Sequence, residues 1–153
     1  MTHQQPLDTL LDLAREARDN AGMTLANERR TQQHTVAQLD ALDRYRLEYA
    51  QRLQDAMHAG IDPATMHNYQ QFLASLDAAI GRAKQALGEQ EQRVASSQQN
   101  WQQEQRKLSS YDTLASRRAA QSRQQAQRHE QRVNDELSAN AMLRRRREQD
   151  DSH

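Results

Sequence analysis

Six histidines are the first residues to question, because imidazole binds metals and moves protons near neutral pH. His3, His34, His58, His67, His129 and His153 are scattered through the chain, and no two stand three or four residues apart as ligands on one helix face would. His58 and His67 flank a break in the helical pattern, but two imidazoles without carboxylate support make a poor cation site. The chain has no cysteine, so there is no thiolate nucleophile, zinc thiolate or disulfide framework, which fits a reducing cytoplasm. No glycine-rich phosphate loop and no Ser/His/Asp grouping set in a turn is present either. The expectation is a protein that is not an enzyme and needs no cofactor or metal.

Charge offers more. Residues 1–116 carry 12 basic and 15 acidic side chains, residues 117–147 carry nine Arg against three acids, and residues 148–153 carry three acids alone. Arg117, Arg118, Arg123, Arg128, Arg132 and the run Arg144 to Arg147 therefore form a basic arm. Such an arm can hold phosphate backbones, lie against an acidic protein surface, or simply be a solvated helix face. The arm contains no Lys and no Phe, Tyr or Trp, so nothing in it stacks on bases, and nucleic acid is not expected. A nucleic-acid-binding coiled coil that uses the arm is kept as a rival from a different class.

These residues must be positioned by helices. Only 35% of the chain is hydrophobic, 4% is aromatic, and the mean hydropathy is −1.15, too polar for several buried layers. Four Gly and two Pro, among abundant Ala, Gln, Glu and Arg, favour long helices over strands and turns. Met66, Leu73, Ile80, Leu87, Val94, Trp101 and Leu108 form a ladder seven residues apart, with a second row at Tyr69, Leu76, Ala83 and Tyr111. A strict repeat of seven winds one narrow stripe around a partner helix.

The partner is the first half of the same chain. Leu11, Leu25, Leu39 and Leu53 stand fourteen apart, with Arg18, Gln32 and Arg46 on the rungs between them, so this seam is real but imperfect. His58-Ala59-Gly60-Ile61-Asp62-Pro63 then stops one helix and starts another: Gly60 suits a left-handed C-terminal residue, Asp62 a cap and Pro63 a first turn. So short a connection doubles the chain back. The fold expected is all-α, a long antiparallel two-helix coiled-coil hairpin with a C-terminal basic overhang that is helical or disordered. Its parts are a flexible N-terminus (1–5), helix 1 (6–58), a turn (59–62), helix 2 paired with helix 1 (63–116), the unpaired basic arm (117–147) and a flexible acidic tail (148–153). Residues facing one another should have numbers adding to about 122, which sets Trp101 opposite Ala21 and Gln32 opposite Gln90. The polar stretch 27–35 should be the weakest part of the coil.

One edge of this coil carries an anomaly. With Leu39 and Leu73 at the first core position of their heptads, Gln38, Tyr45, Phe72 and Ala79 fall one position earlier, and in an antiparallel pair those positions line the same edge. Phe72 is the chain's single phenylalanine, set where a charge is usual. Exposed aromatics on a polar coil suggest a docking surface, and a wider hydrophobic stripe is the alternative.

The residues that carry a family resemblance are LDTLLDLAREARDNA from Leu7, LDRYRLEY from Leu42 to Tyr49, NYQQFLASLDAAI from Asn68 to Ile80, and Trp101. Asn-Tyr-Gln-Gln-Phe is the most specific of them. In these segments the chain resembles the FliJ family, soluble coiled-coil components of the bacterial flagellar type III export apparatus. The resemblance implies an antiparallel stalk standing in the hexameric export ATPase. It also implies contact with the cytoplasmic domain of the export gate protein FlhA and handling of export chaperones. The gate-docking residues it implies are Gln38, Leu42, Tyr45, Tyr49, Phe72, Leu76 and Ala79. Ala83 departs from the histidine of a family member and is left out. Residues implied to meet the ATPase ring are Leu7, Leu11, Arg15, Arg18, Arg117, Arg118 and Arg123. The implied setting is cytoplasmic, at the inner face of the inner membrane through the export apparatus, for a monomer or a weakly self-associating protein. The corresponding stalk of a virulence-type secretion ATPase is the nearest alternative. The N-terminus, with Asp8, Asp12, Arg15 and Glu16 among its leucines, does not read as a signal peptide.

Overall fold

A computed structural model describes residues 6–152. The expectations for residues 1–5 and for His153 lie outside the described residues. Helix α1 runs Pro6–Ala59, 54 residues, and helix α2 runs Pro63–Asp151, 89 residues; the two pack against each other as a hairpin. The overhang is helical, and α2 takes in residues 148–151, where a flexible tail was expected. Spacing offers a reason: Arg144, Arg146 and Arg147 stand four residues before Glu148, Asp150 and Asp151, so opposite charges are neighbours on one helix surface.

The turn is built by the residues that its sequence suggests. Gly60 has φ 86°, the left-handed region that a side chain disfavours, and its N–H donates to the Met57 carbonyl at 3.3 Å. Asp62 caps α2: its carbonyl accepts the Met66 N–H at 3.1 Å, and its carboxylate accepts the Thr65 hydroxyl. That hydroxyl bond is the main cause holding the Asp62 pKa below the usual carboxylate value of 3.8. Pro63 follows at the first helical position, where a missing N–H costs nothing.

The chain forms two units, one spanning Ala14–Arg106 and the other joining the residues up to Leu13 with those from Lys107 onward. In the first, Ala14, Ala21, Leu25, Thr35 and Leu39 of α1 and Leu76 and Ile80 of α2 are buried, with Leu73, Ala83, Leu87, Val94 and Trp101 half-buried along the ladder. Contacts fix the register. Arg46 pairs with Asp77, Tyr49 packs on Phe72, and Trp101 lies beside Gly22, where an added Cβ would stand 3.3 Å from its indole nitrogen. The numbers of these partners add to 121 or 123, against the 122 expected from the turn. The larger indole sits beside the one residue of that turn without a side chain, one position along from Ala21. Arg46 is a rung of the α1 seam by spacing but is exposed, because its guanidinium swings outward to Asp77 rather than desolvate in the interface.

In the other unit Leu11 and Leu108 are buried, and Leu7, Tyr111 and Ala115 are half-buried. Residues 116–152 are exposed throughout, with every arginine of the arm solvent-facing. Among the described residues no helix is long and apolar enough to cross a membrane.

Candidate docking face

The edge singled out by heptad position becomes a cluster of rings near the turn. Tyr49 comes from a core position of α1, and Phe72 from the edge position of α2. Their ring centroids lie 4.4 Å apart at an interplanar angle of 51°, a tilted contact. The Arg52 guanidinium carbon stands 4.9 Å from the Tyr49 ring centroid, a cation over the electron-rich face. Arg52 is held there by Glu48, one turn earlier, through a 2.8 Å ion pair. Tyr49, Thr65, Asn68, Tyr69 and Phe72 line a shallow groove whose walls are mainly apolar.

Tyr45 stands one turn farther from the hairpin connection and is 54% exposed, while Phe72 is 42% exposed despite its contact with Tyr49. A second groove, lined by Ala41, Arg44, Tyr45 and Glu48, opens beside Tyr45. Rings left this open on a chain so polar are surface that a partner can cover at the usual gain for aromatic burial.

The seven residues expected to dock the gate therefore divide by depth. Gln38, Tyr45 and Phe72 are exposed and available to touch another protein. Leu42, Tyr49 and Ala79 are half-buried, and Leu76 is buried at 8% exposure, so Leu76 supports the face from inside the seam. Arg46 and Asp77, one position later in each helix, flank the opposite edge. The Arg46 Nη2 donates to Asp77 Oδ2 at 3.4 Å while its Nε donates to Oδ1. Those bonds hold the Asp77 carboxyl below its usual range and the Arg46 guanidinium above its own. The coil thus presents aromatic rings along one edge and a fixed ion pair along the other, and heptad spacing alone did not reveal the second.

Of the residues expected at the ATPase ring, Leu11 is buried and Leu7 half-buried. Arg18 donates to Asp19 at 2.9 Å, and Arg15 is engaged in an interaction of its own. Arg117, Arg118 and Arg123 are exposed. Among the described residues no group of three or more His, Asp or Glu side chains is arranged to hold a metal ion.

Comparison with known proteins identifies the family. The family model described as the flagellar FliJ protein matches residues 3–147. The chain belongs to the FliJ family. It is 32% identical over 145 residues to the flagellar FliJ protein of Escherichia coli K12, covering 95% of this chain and 99% of that one. It is similar at the same identity and coverage to the flagellar FliJ protein of Salmonella typhi. Among solved structures, a YscO homolog from Chlamydia trachomatis aligns with a TM-score of 0.48 at 11% identity, over 90% of this chain and 93% of that one. As a FliJ-family member the chain is a component of flagellar type III protein export.

Proposed function

We propose that this FliJ-family chain is a non-enzymatic stalk and adaptor that links the hexameric export ATPase to the cytoplasmic domain of FlhA and handles export chaperones. In this reading the FlhA-docking face is the aromatic edge near the turn. Gln38, Tyr45 and Phe72 make the contact, Tyr49 orients Phe72, and Leu42, Leu76 and Ala79 hold the two helices at the spacing that presents them. The observation that carries the reading is the exposure of two large rings near the turn, Tyr45 at 54% and Phe72 at 42%.

The ATPase ring is assigned the basic arm, with Arg117, Arg118 and Arg123 meeting acidic groups of the ring lining, and Leu7 and Leu11 supporting the helix pair there. Arg15 and Arg18 are assigned to the same partner. A stalk biases the states of a ring only if it binds those states differently. The protein is then held at the cytoplasmic face of the inner membrane by its partners.

Two experiments test this. Tyr45→Ala and Phe72→Ala are each assayed for binding to the FlhA cytoplasmic domain, with helicity followed alongside. Buried aromatic anchors contribute about 2 kcal/mol or more, so affinity should fall by roughly thirtyfold. Unchanged affinity in a folded variant removes the docking assignment. Co-purification with the export ATPase is then compared for the full chain and for one lacking residues 117–153; equal recovery removes the arm's role.

A further inference from the structure

The seam of the Ala14–Arg106 unit loses its apolar character in the middle. On α1, Glu28 and Gln32 are half-buried and Thr35 is buried, between the apolar rungs Leu25 and Leu39. On α2, Gln90 and Ser97 take the seam on either side of Val94. Gln90 Oε1 is buried and accepts no hydrogen bond, so a carbonyl oxygen has left water without a replacement partner. The Thr24, Thr31 and Thr35 hydroxyls donate to carbonyls four residues back, each at 3.1 Å. Such bonds satisfy the hydroxyls within α1, bend helices slightly and contribute nothing across the seam.

The same block is bounded by firm contacts. Toward the turn stand Leu39, Leu76 and Ile80 with the Arg46–Asp77 ion pair. Away from it stand Ala21 and Leu25 with Trp101 seated beside Gly22. A polar seam segment between two apolar ones is where local opening needs the least free energy.

We infer that residues 28–35 of α1 and 88–95 of α2 form a joint at which the hairpin opens and bends, while the flanking contacts hold its register. The aromatic edge at residues 38–49 and 72–79 can then change direction relative to the coil beyond the joint without either helix dissociating. The joint rests on seam packing alone and is independent of any partner assignment.

The absence of cysteine allows spin labels only where they are introduced. Thr31→Cys with Glu91→Cys places a pair across the joint. Gln38→Cys with Lys84→Cys places the same heptad positions one repeat nearer the turn, and all four residues are exposed. Pulsed electron resonance should give a distance distribution about twice as broad at the first pair as at the second. Adding Gln32→Leu and Gln90→Leu, which refill the seam with apolar side chains, should narrow the first to the width of the second. Amide exchange on the unlabelled chain reads the same property without labels. Residues 28–35 and 88–95 should exchange roughly tenfold faster than residues 36–43 and 80–87, and the difference should close in the double leucine variant. Equal widths at the two pairs, uniform protection, or no response to the leucines overturns the joint.

Discussion

Three glycines inside the helices offer an internally controlled test of the packing. Glycine in a helix interior is destabilising by about 1 kcal/mol relative to alanine. At Gly81 and Gly88 an added Cβ meets nothing within 4 Å, so Gly81→Ala and Gly88→Ala should each recover about that amount. For a chain of this size the gain corresponds to a rise in Tm of roughly 2–4 °C per substitution. Seven residues of helix separate the two sites by about 10 Å, far enough for the gains to add. At Gly22 the same Cβ stands 3.3 Å from the Trp101 indole nitrogen and 3.4 Å from its Cδ1, closer than relaxed packing allows. Overpacking costs about 1–3 kcal/mol, so the propensity gain is cancelled or reversed, and Gly22→Ala should leave Tm unchanged or lower it. Replacing the indole removes the conflict: Gly22→Ala in a Trp101→Leu background should regain the full 1 kcal/mol or so. Thermal and urea unfolding followed by circular dichroism at 222 nm measure all of these. If Gly22→Ala gains as much as the two solvent-facing sites, and equally with Trp101 or Leu at position 101, the indole is not packed on Gly22.

Other perturbations follow from single features. Gly60→Ala places a side chain at φ 86° and should destabilise by about 1–2 kcal/mol in the same unfolding assays, with no clash involved since nothing lies within 4 Å. Asp77 has its folded pKa held below 3.8 by Arg46, so its stabilising effect is complete above that value and is lost as pH falls through the lowered folded pKa. Wild type and Asp77→Asn should therefore differ in Tm at neutral pH, with the difference shrinking as pH falls into strong acid; a difference that does not change with pH contradicts the ion pair. Asp62 has the same sign through Thr65, and Asp62→Ala should lower Tm in the same unfolding assays. Nucleic-acid binding by the arm should be absent at low salt, and a steeply salt-dependent affinity that disappears without residues 117–153 would revive that reading.

Much of this architecture is legible in the sequence because two long helices with a narrow stripe leave few alternatives. The ladder through Leu73, Ile80 and Leu108 is buried or half-buried as its spacing requires, and the Gly60, Asp62 and Pro63 signals act where they stand. Seam spacing failed at Arg46, because period alone does not say that a long cation can reach past the interface to Asp77. The aromatic edge was legible as a pattern, since a lone Phe at a flanking position is visible without coordinates. Its internal geometry was not. Phe72 packs against Tyr49 rather than standing with Tyr45, and Leu76 is too deep to touch a partner. Both depend on rotamers and on which helix surface turns inward, which a heptad assignment does not resolve. The unsatisfied Gln90 oxygen was likewise hidden, although Gln32 opposite Gln90 marked the layer as polar.

The brevity of the connection between α1 and α2 decides which motions the hairpin can use. Only Gly60, Ile61 and Asp62 separate the helices. Sliding one helix past the other by a heptad would displace the ends by roughly 10 Å, about the full extended reach of three residues. The turn has no such slack while Gly60 is folded back on Met57 and Asp62 is engaged as a cap. Longitudinal sliding, the simplest way for two paired helices to carry a signal, is therefore closed to this chain unless a helix end unwinds. Bending and twisting remain, and both preserve the order in which residues meet across the seam.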